Sequence, residues 1–375
     1  MSTPDPSAAA IVAEALRDPA GPPPDWAAGA DATAVIGAAS RHRVLLLLGW
    51  LLRDAGALDE WPGLAQAFER AERQALSVDC VRQAELATVL HELDAAGVRP
   101  LLFKGAALAQ THYPTPHVRV RADTDLLMAD GEVRAFERVL DRLGYIRPVE
   151  TSGALVSYQS HYQKTDRYGV THALDVHWKI SNLQALANCV THAELWNCRV
   201  PVVPLGPSAV TVDAPHALLL ALVHRAGHHP GSRNLLWIYD LHLLDSRLTA
   251  HERRQFQANV AARGLNSIAA EGLGIARRWF GDPALDALDD ATHGKPASGD
   301  DLVRPWTPAE VLRLDLQALP DWRTRGRLLR EHLLPSSSYM RAKYGVRSNV
   351  MLPALYIWRV LHGMPRWLRR PAIDD

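Results

Sequence analysis

Leu101-Leu-Phe-Lys-Gly-Ala-Ala-Leu108 and, one loop later, Arg119-Val-Arg-Ala-Asp-Thr-Asp-Leu-Leu-Met128 decide how this chain of 375 residues is read. Residues 99–103 are apolar and extended, and Lys104-Gly105 reads as a turn into a helix over 106–111. Pro114 and Pro116 mark a loop. Residues 118–128 then alternate as a second strand, and 132–143 form a helix closed by Gly144. Residues 155–165 and 171–180, separated by a turn at 166–169, pattern as an antiparallel pair. Strand, helix, strand, helix, strand, strand predicts an α+β core with a small mixed sheet.

Within that core, Asp123 and Asp125 stand one residue apart, so on a strand both carboxylates project from one face. Asp175, in Ala173-Leu-Asp-Val-His-Trp178, supplies a third on a later strand. Asp-x-Asp triplets arise by chance in a chain of this length, and most are simply solvated. The combination is more specific. Three carboxylates on neighbouring strands would repel one another without a cation, and paired hard anionic ligands suit Mg²⁺. A Lys-Gly turn before a helix suits phosphate, since Gly105 lets backbone N–H groups approach and Lys104 adds a charge.

Composition narrows the function classes. Forty-one Lys plus Arg balance forty-one Asp plus Glu, which argues against a long nucleic acid as partner. Only five of those cations are Lys, so Lys104 in a motif stands out. The balance is a cancellation: 320–375 carries eleven Arg and Lys against four Asp and Glu. Three cysteines at irregular spacing fit a reducing cytoplasm. The opening Met1-Ser-Thr-Pro-Asp-Pro lacks the basic and apolar regions of a signal peptide, and the longest apolar run, 44–52, is nine residues where a membrane span needs about 20.

Phe103-Lys-Gly-Ala-Ala-Leu, Tyr113-Pro-Thr-Pro, and Arg119 followed by Asp123-Thr-Asp-Leu-Leu together resemble an uncharacterised bacterial nucleotidyltransferase family of the polymerase β-like superfamily. Leu174-Asp-Val-His-Trp178, the His224…His228…Trp237-Ile-Tyr-Asp240 region and Leu334-Pro-Ser…Met340-Arg…Tyr344 extend the resemblance from about Thr33 onward. It implies Mg²⁺-dependent (or Mn²⁺-dependent) transfer of a nucleoside monophosphate from a nucleoside triphosphate. The acceptor would be a hydroxyl or similar group on a small molecule, peptide or protein. Asp123, Asp125 and Asp175 would be the metal ligands and catalytic carboxylates. Lys104 and Gly105 would hold the β- and γ-phosphates, and Arg119, with its planar donor fork, would be a further phosphate ligand. Two departures stand out: Lys-Gly replaces the superfamily's Gly-Ser, and Gly105 lies eighteen positions before Asp123. They keep open a non-catalytic nucleotide-binding or scaffold protein on the same fold, in which Asp175 would not converge on Asp123 and Asp125.

Seventeen histidines are many for this length. His224 and His228, at i,i+4 spacing, together with Arg233, are assigned to the acceptor side of the cleft. His177 shares the strand face of Asp175 and either orients or deprotonates the acceptor or hydrogen-bonds a metal-ligating carboxylate. A different class, a His/Asp metal hydrolase, would require His224, His228 and a carboxylate to meet around zinc.

The predicted divisions are a disordered Ala/Pro-rich arm (1–30) with a weak helix over 8–16, and an N-terminal helical segment (31–61). Next come a nucleotidyltransferase core (62–205), a helical acceptor-side domain (206–291), a linker (292–307) and a basic C-terminal helical segment (308–375). Helical patterns cover 33–55, 64–96, 217–226 with a break at Gly227, 235–247, 250–263 and 268–280. The C-terminal mix of Trp, aliphatics and Arg suggests contact with an anionic surface, with a helix packed on the core as the simpler expectation. Pro365 is expected to limit that helix.

Overall fold

The computed structural model describes residues 6–21, 32–148, 153–281, 306–346 and 348–367. Four strands, β1 (Leu101–Phe103), β2 (Thr124–Leu127), β3 (Gln159–Thr165) and β4 (Thr171–His177), form one sheet in the order β1-β2-β4-β3. β2 and β4 run parallel, and the two outer pairings are antiparallel. The expected α+β class with a small mixed sheet is thus observed.

Period-two alternation sorts the sheet's two faces. Leu102, Leu126, Leu174 and Val176 pack into one apolar cluster with Leu90 and Phe136. Leu101, Phe103 and Leu127 turn to the opposite side and join a second, larger cluster. Asp125, Asp175 and His177 share the parity of that second side, so the sheet presents its charged residues toward the helical part of the molecule.

The second cluster is built by helices from both ends of the chain. Three of them, α1 (Pro6–Arg17), α2 (Ala32–Arg41) and α3 (Leu45–Asp54), precede the 34-residue α4 (Pro62–Ala95), which spans about 50 Å. Leu64 and Phe68 at its start belong to the larger cluster, and Leu86 to Leu93 near its end belong to the smaller. Two helices lie between the strands, α5 (Lys104–Thr111) and α6 (Val133–Arg142). Beyond the sheet come α7 (Gln184–Ala187), α8 (His192–Asn197), a hairpin of β5 (Arg199–Pro201) and β6 (Val210–Val212), and the bundle of α9 (Ala214–His228), α10 (Leu235–Arg247), α11 (Ala250–Ala262) and α12 (Asn266–Phe280). α13 (Pro308–Ala318), α14 (Trp322–Leu333), α15 (Ser337–Tyr344) and α16 (Leu352–Trp367) complete the described chain.

Several expectations are corrected here. The weak helix expected over 8–16 is observed as α1, but it is packed rather than part of a loose arm: Ala8, Val12, Ala15 and Leu16 fall at helical spacing and are buried in the larger cluster. Most of the predicted linker, 292–305, lies outside the described residues. The strand expected over 118–128 is confined to β2, because the proline loop continues as a 3₁₀ turn at Pro116–Val118. Gly227 does not break α9; a Cβ there would come within 2.8 Å of Ser181 Oγ, so the glycine permits close packing. α16 runs on to Trp367, past Pro365, and leaves Ile357, Trp358 and Leu361 exposed.

The helix expected over 33–55 is two helices, bent by 116°. The bend is a Schellman motif: Arg43 N–H donates to Ser40 O and Val44 N–H donates to Ala39 O. Its left-handed residue is Arg43, at φ +58. The same pair of bonds closes four other helices, with Gly56, Gly97, Gly144 and Gly264 in the left-handed position. A side chain at such a position costs about 1–2 kcal/mol relative to glycine.

Candidate active site

Register builds the site's floor. In the parallel pairing of β2 with β4, Asp125 lies opposite Asp175, and in the antiparallel pairing of β3 with β4, His161 lies opposite Asp175. Among the described residues, ligand atoms of Asp125, Asp175 and His177 come within 4.8 Å of one another. His177 donates from Nε2 to Asp125 Oδ1 at 3.0 Å, with the proton assigned to Nε2, and His161 donates from Nδ1 to Asp175 Oδ1 at 2.6 Å.

Lys104 completes this floor. Its ammonium donates to Asp125 Oδ1 at 2.7 Å and lies 3.4 Å from His177 Nε2. Its backbone sits at φ +54, so Lys104 and Arg43 are the non-glycine residues with positive φ among those described. Strain of that kind persists where surrounding structure fixes it, often at functional sites. Burial alone would raise the pKa of Asp125, yet Lys104 and His177 hold its carboxyl down to about 2. His177 itself is pushed below its ordinary value by burial and by Lys104, so it donates as a neutral imidazole.

Asp123 sits in a bend just before β2, and its carboxylate is not part of the close trio. It nevertheless lines the same cleft. Burial, then the nearby charges of Asp125 and Asp175, raise its pKa to about 6. The floor therefore carries more negative charge than Lys104 alone neutralises, which is the chemistry of a divalent-cation site. Asp125 and Asp175 would supply oxygen ligands, with Asp123 beside them.

The cleft above this floor has a volume of about 450 Å³, within the range of small-ligand sites. Its opposite wall is helical. His224, His228 and His229 from the end of α9 and Trp237 from α10 line it, and the His229 and Trp237 rings lie 4.0 Å apart. His224 Nδ1 and His228 Nε2 are buried without a hydrogen-bond partner among the described residues. Burial, then Lys104, push the pKa of His224 well down and that of His228 to about 3, so both rings are neutral.

Of the residues singled out in the sequence, Lys104, Gly105, Asp123, Asp125, Asp175, His224 and His228 line one cleft. Three other residues take different places. Arg119 reaches the cleft, but its Nε and Nη2 donate to Asp240 Oδ1 and Oδ2 at 3.1 and 2.6 Å, and its Nη1 donates to Val120 O. Burial works against its charge, and Asp240 more than restores it, raising the pKa above the ordinary value. Tyr113 also donates to Asp240 Oδ1, at 2.7 Å. Gly105 serves this pair, since a Cβ there would lie 2.8 Å from Arg119 Nη1. His177 is 3 % exposed and sits behind Asp125 rather than on the cleft wall, which fits the hydrogen-bonding role rather than that of a base. Arg233 is exposed and outside the cleft lining.

The alternatives from other classes fare differently from their expectations. Asp175 does pair with Asp125, where the non-catalytic alternative expected it apart. His224 and His228 belong to no metal-ligand cluster among the described residues, and Asp240 is taken up by Arg119, so the grouping needed by a zinc hydrolase is not formed.

Sequence reasoning missed three residues. His161 was accessible by counting pairs back from the turn at 166–169. The partnership of Asp240 with Arg119 spans 121 positions, and Arg43 carries no local signal for a left-handed turn. A comparison with curated proteins gives no match. Residues 28–281, about two thirds of the chain, match the family described as an uncharacterised nucleotidyltransferase, and the chain belongs to that family.

Proposed function

We propose that this protein is an enzyme with a polymerase β-like core that uses Mg²⁺ or Mn²⁺. It transfers a nucleoside monophosphate from a nucleoside triphosphate to a hydroxyl or similar group on a small molecule, peptide or protein. The observation that carries this is the in-register pairing of Asp125 with Asp175 beside Lys104, on the floor of a nucleotide-sized cleft. Asp125 and Asp175 would hold the metal, with Asp123 as a further ligand. The bound metal would stabilise charge on the attacking and leaving oxygens of an in-line displacement.

The chain's own residues do the rest. His177 and Lys104 keep Asp125 ionised at any physiological pH, and His161 orients Asp175 through the Oδ1 hydrogen bond. Lys104, on the strained turn, holds Asp125 at the edge of the cleft where the triphosphate would bind, and Gly105 gives Arg119 room to brace the loop before Asp123. The neutral wall of His224 and His228 leaves imidazole nitrogens available to an uncharged polar acceptor. In the same proposal the setting is the cytoplasm, where triphosphates are plentiful and unpaired Cys80, Cys189 and Cys198 stay reduced.

The test is to incubate the protein with each labelled nucleoside triphosphate, Mg²⁺ or Mn²⁺, and extract from its host. Pyrophosphate release is followed, and the labelled product is identified by mass spectrometry. The expected result is a labelled product lost in Asp125→Asn and Asp175→Asn variants that keep the wild-type circular dichroism spectrum. Wild-type protein that binds no triphosphate with either metal, or variants that label as well as wild type, would overturn the proposal.

A further inference from the structure

Five non-histidine cationic side chains line the cleft: Arg43, Lys104, Arg119, Arg121 and Arg225. Four are already neutralised. Lys104 pairs with Asp125, Arg119 with Asp240, Arg121 with Asp79 and Arg225 with Glu271. The Arg43 guanidinium has no hydrogen-bond or ion-pair partner among the described residues, and the residue is exposed.

Its backbone adds a second, independent observation. Four other helices close with the same two hydrogen bonds and put glycine at the left-handed position. Only the motif that faces the cleft carries a side chain there, and that side chain is a guanidinium. Glycine would hold the 116° bend with less strain, so the bend alone does not account for the arginine. His42 and Val44, on either side, are buried, and Leu235 N–H donates to His42 Nδ1, so the turn is tied to the helical wall.

We propose that Arg43 binds the terminal phosphates of the nucleoside triphosphate, as the further phosphate ligand that the resemblance had sought in Arg119. This rests on the nucleotidyl-transfer proposal above. An unpaired guanidinium in the same cleft as a carboxylate floor suits a ligand that carries metal at one end and uncompensated phosphate oxygens at the other. Its fork matches those oxygens in a bidentate manner. Arg119, with its donors on Asp240 and Val120, holds the two halves of the cleft together instead.

The test uses isothermal titration calorimetry of the full chain with the Mg²⁺ complexes of ATP, GTP, CTP and UTP, with Mg²⁺-pyrophosphate, and with the matching monophosphates. Thermal melts run alongside. Arg43→Gly is expected to weaken the preferred triphosphate and pyrophosphate by about 10- to 100-fold. The monophosphate should change less than about 2-fold, while the melting temperature holds or rises. Arg43→Lys should recover part of the loss, keeping charge without the fork. Triphosphate affinity unchanged in Arg43→Gly would overturn the assignment, and so would equal losses for tri- and monophosphate. A melting temperature lowered by several degrees in Arg43→Gly would instead make Arg43 a structural cap. A wild-type chain that binds no triphosphate or pyrophosphate would overturn the nucleotidyl-transfer proposal itself. Wild-type binding with an unaffected variant removes only the role of Arg43.

Discussion

On the sheet side of the cleft, Lys104, Asp125 and Asp175 line the surface, and each is within hydrogen-bonding distance of another member of a set completed by His177 and His161. On the helical wall, His224 and His228 keep buried ring nitrogens that meet no partner among the described residues. One wall is charged and internally satisfied; the other is neutral and holds unused hydrogen-bonding capacity. Buried charge is tolerated best when paired, so Lys104 and Asp125 hold each other before any ligand arrives, and the remaining carboxylate charge is left for a cation. Buried neutral imidazoles carry a smaller penalty and can wait for a polar ligand to complete them. Under the nucleotidyl-transfer proposal, this difference is a division of labour in which phosphate and metal meet the charged wall and the acceptor meets the neutral one.

Breaking the link between the walls should have the largest effect. Asp240→Ala leaves the buried Arg119 guanidinium without its carboxylate, and urea unfolding should show a loss of about 3–5 kcal/mol. Disturbing the sheet wall alone comes next. His177→Ala removes the hydrogen bond behind Asp125, and Mn²⁺ affinity, followed by electron paramagnetic resonance, should fall about 10- to 100-fold with the fold retained. Crowding the seam is milder: Gly105→Ala pushes on an Arg119 fork that Asp240 holds in place, at an expected loss of about 1–2 kcal/mol in the same unfolding assay.

The last effects are spread over pH, where the two walls should carry opposite signs. His228 has its pKa lowered to about 3 in the folded protein against about 6.5 in an unfolded chain. Its contribution is complete above about pH 6.5 and is lost as the pH falls toward 3, by at most about 1.4 kcal/mol per pH unit. Asp123 is raised to about 6, so its contribution is complete below about pH 4 and is lost as the pH rises through 6. In urea unfolding between pH 4 and 7, His228→Leu should flatten the acid decline and Asp123→Asn should steepen it. Equal slopes in both variants would erase the distinction between the walls.

Much of the sheet was legible from local pattern. The short apolar run at Leu101–Phe103, the turn at 166–169 and the helix at Leu235–Arg247 each carry a period or a breaker that acts within a few residues. Asp125 was legible for the same reason, because alternation fixed its face. Its pairing with Asp175 was not, since a parallel partner 50 positions away is chosen by how the intervening chain packs. The resemblance gave Arg119 a phosphate role because its donor fork suits either phosphate or carboxylate. Which one it meets depends on a helix more than a hundred residues further on. Glycine marked helix ends at 97 and 144 correctly, and the same rule concealed the bend at Arg43, where the left-handed residue is not glycine.

The seam formed by Tyr113, Arg119 and Asp240 bears on how this protein can be engineered. Grafting a foreign α9–α10 segment to change the acceptor would preserve the sheet wall only if the donor helix brought a carboxylate to position 240. A chimera lacking it would be expected to fail in folding before its chemistry could be assayed. A library that holds 113, 119 and 240 constant while varying 224, 228 and 237 would explore acceptor preference on an intact hinge between the two halves.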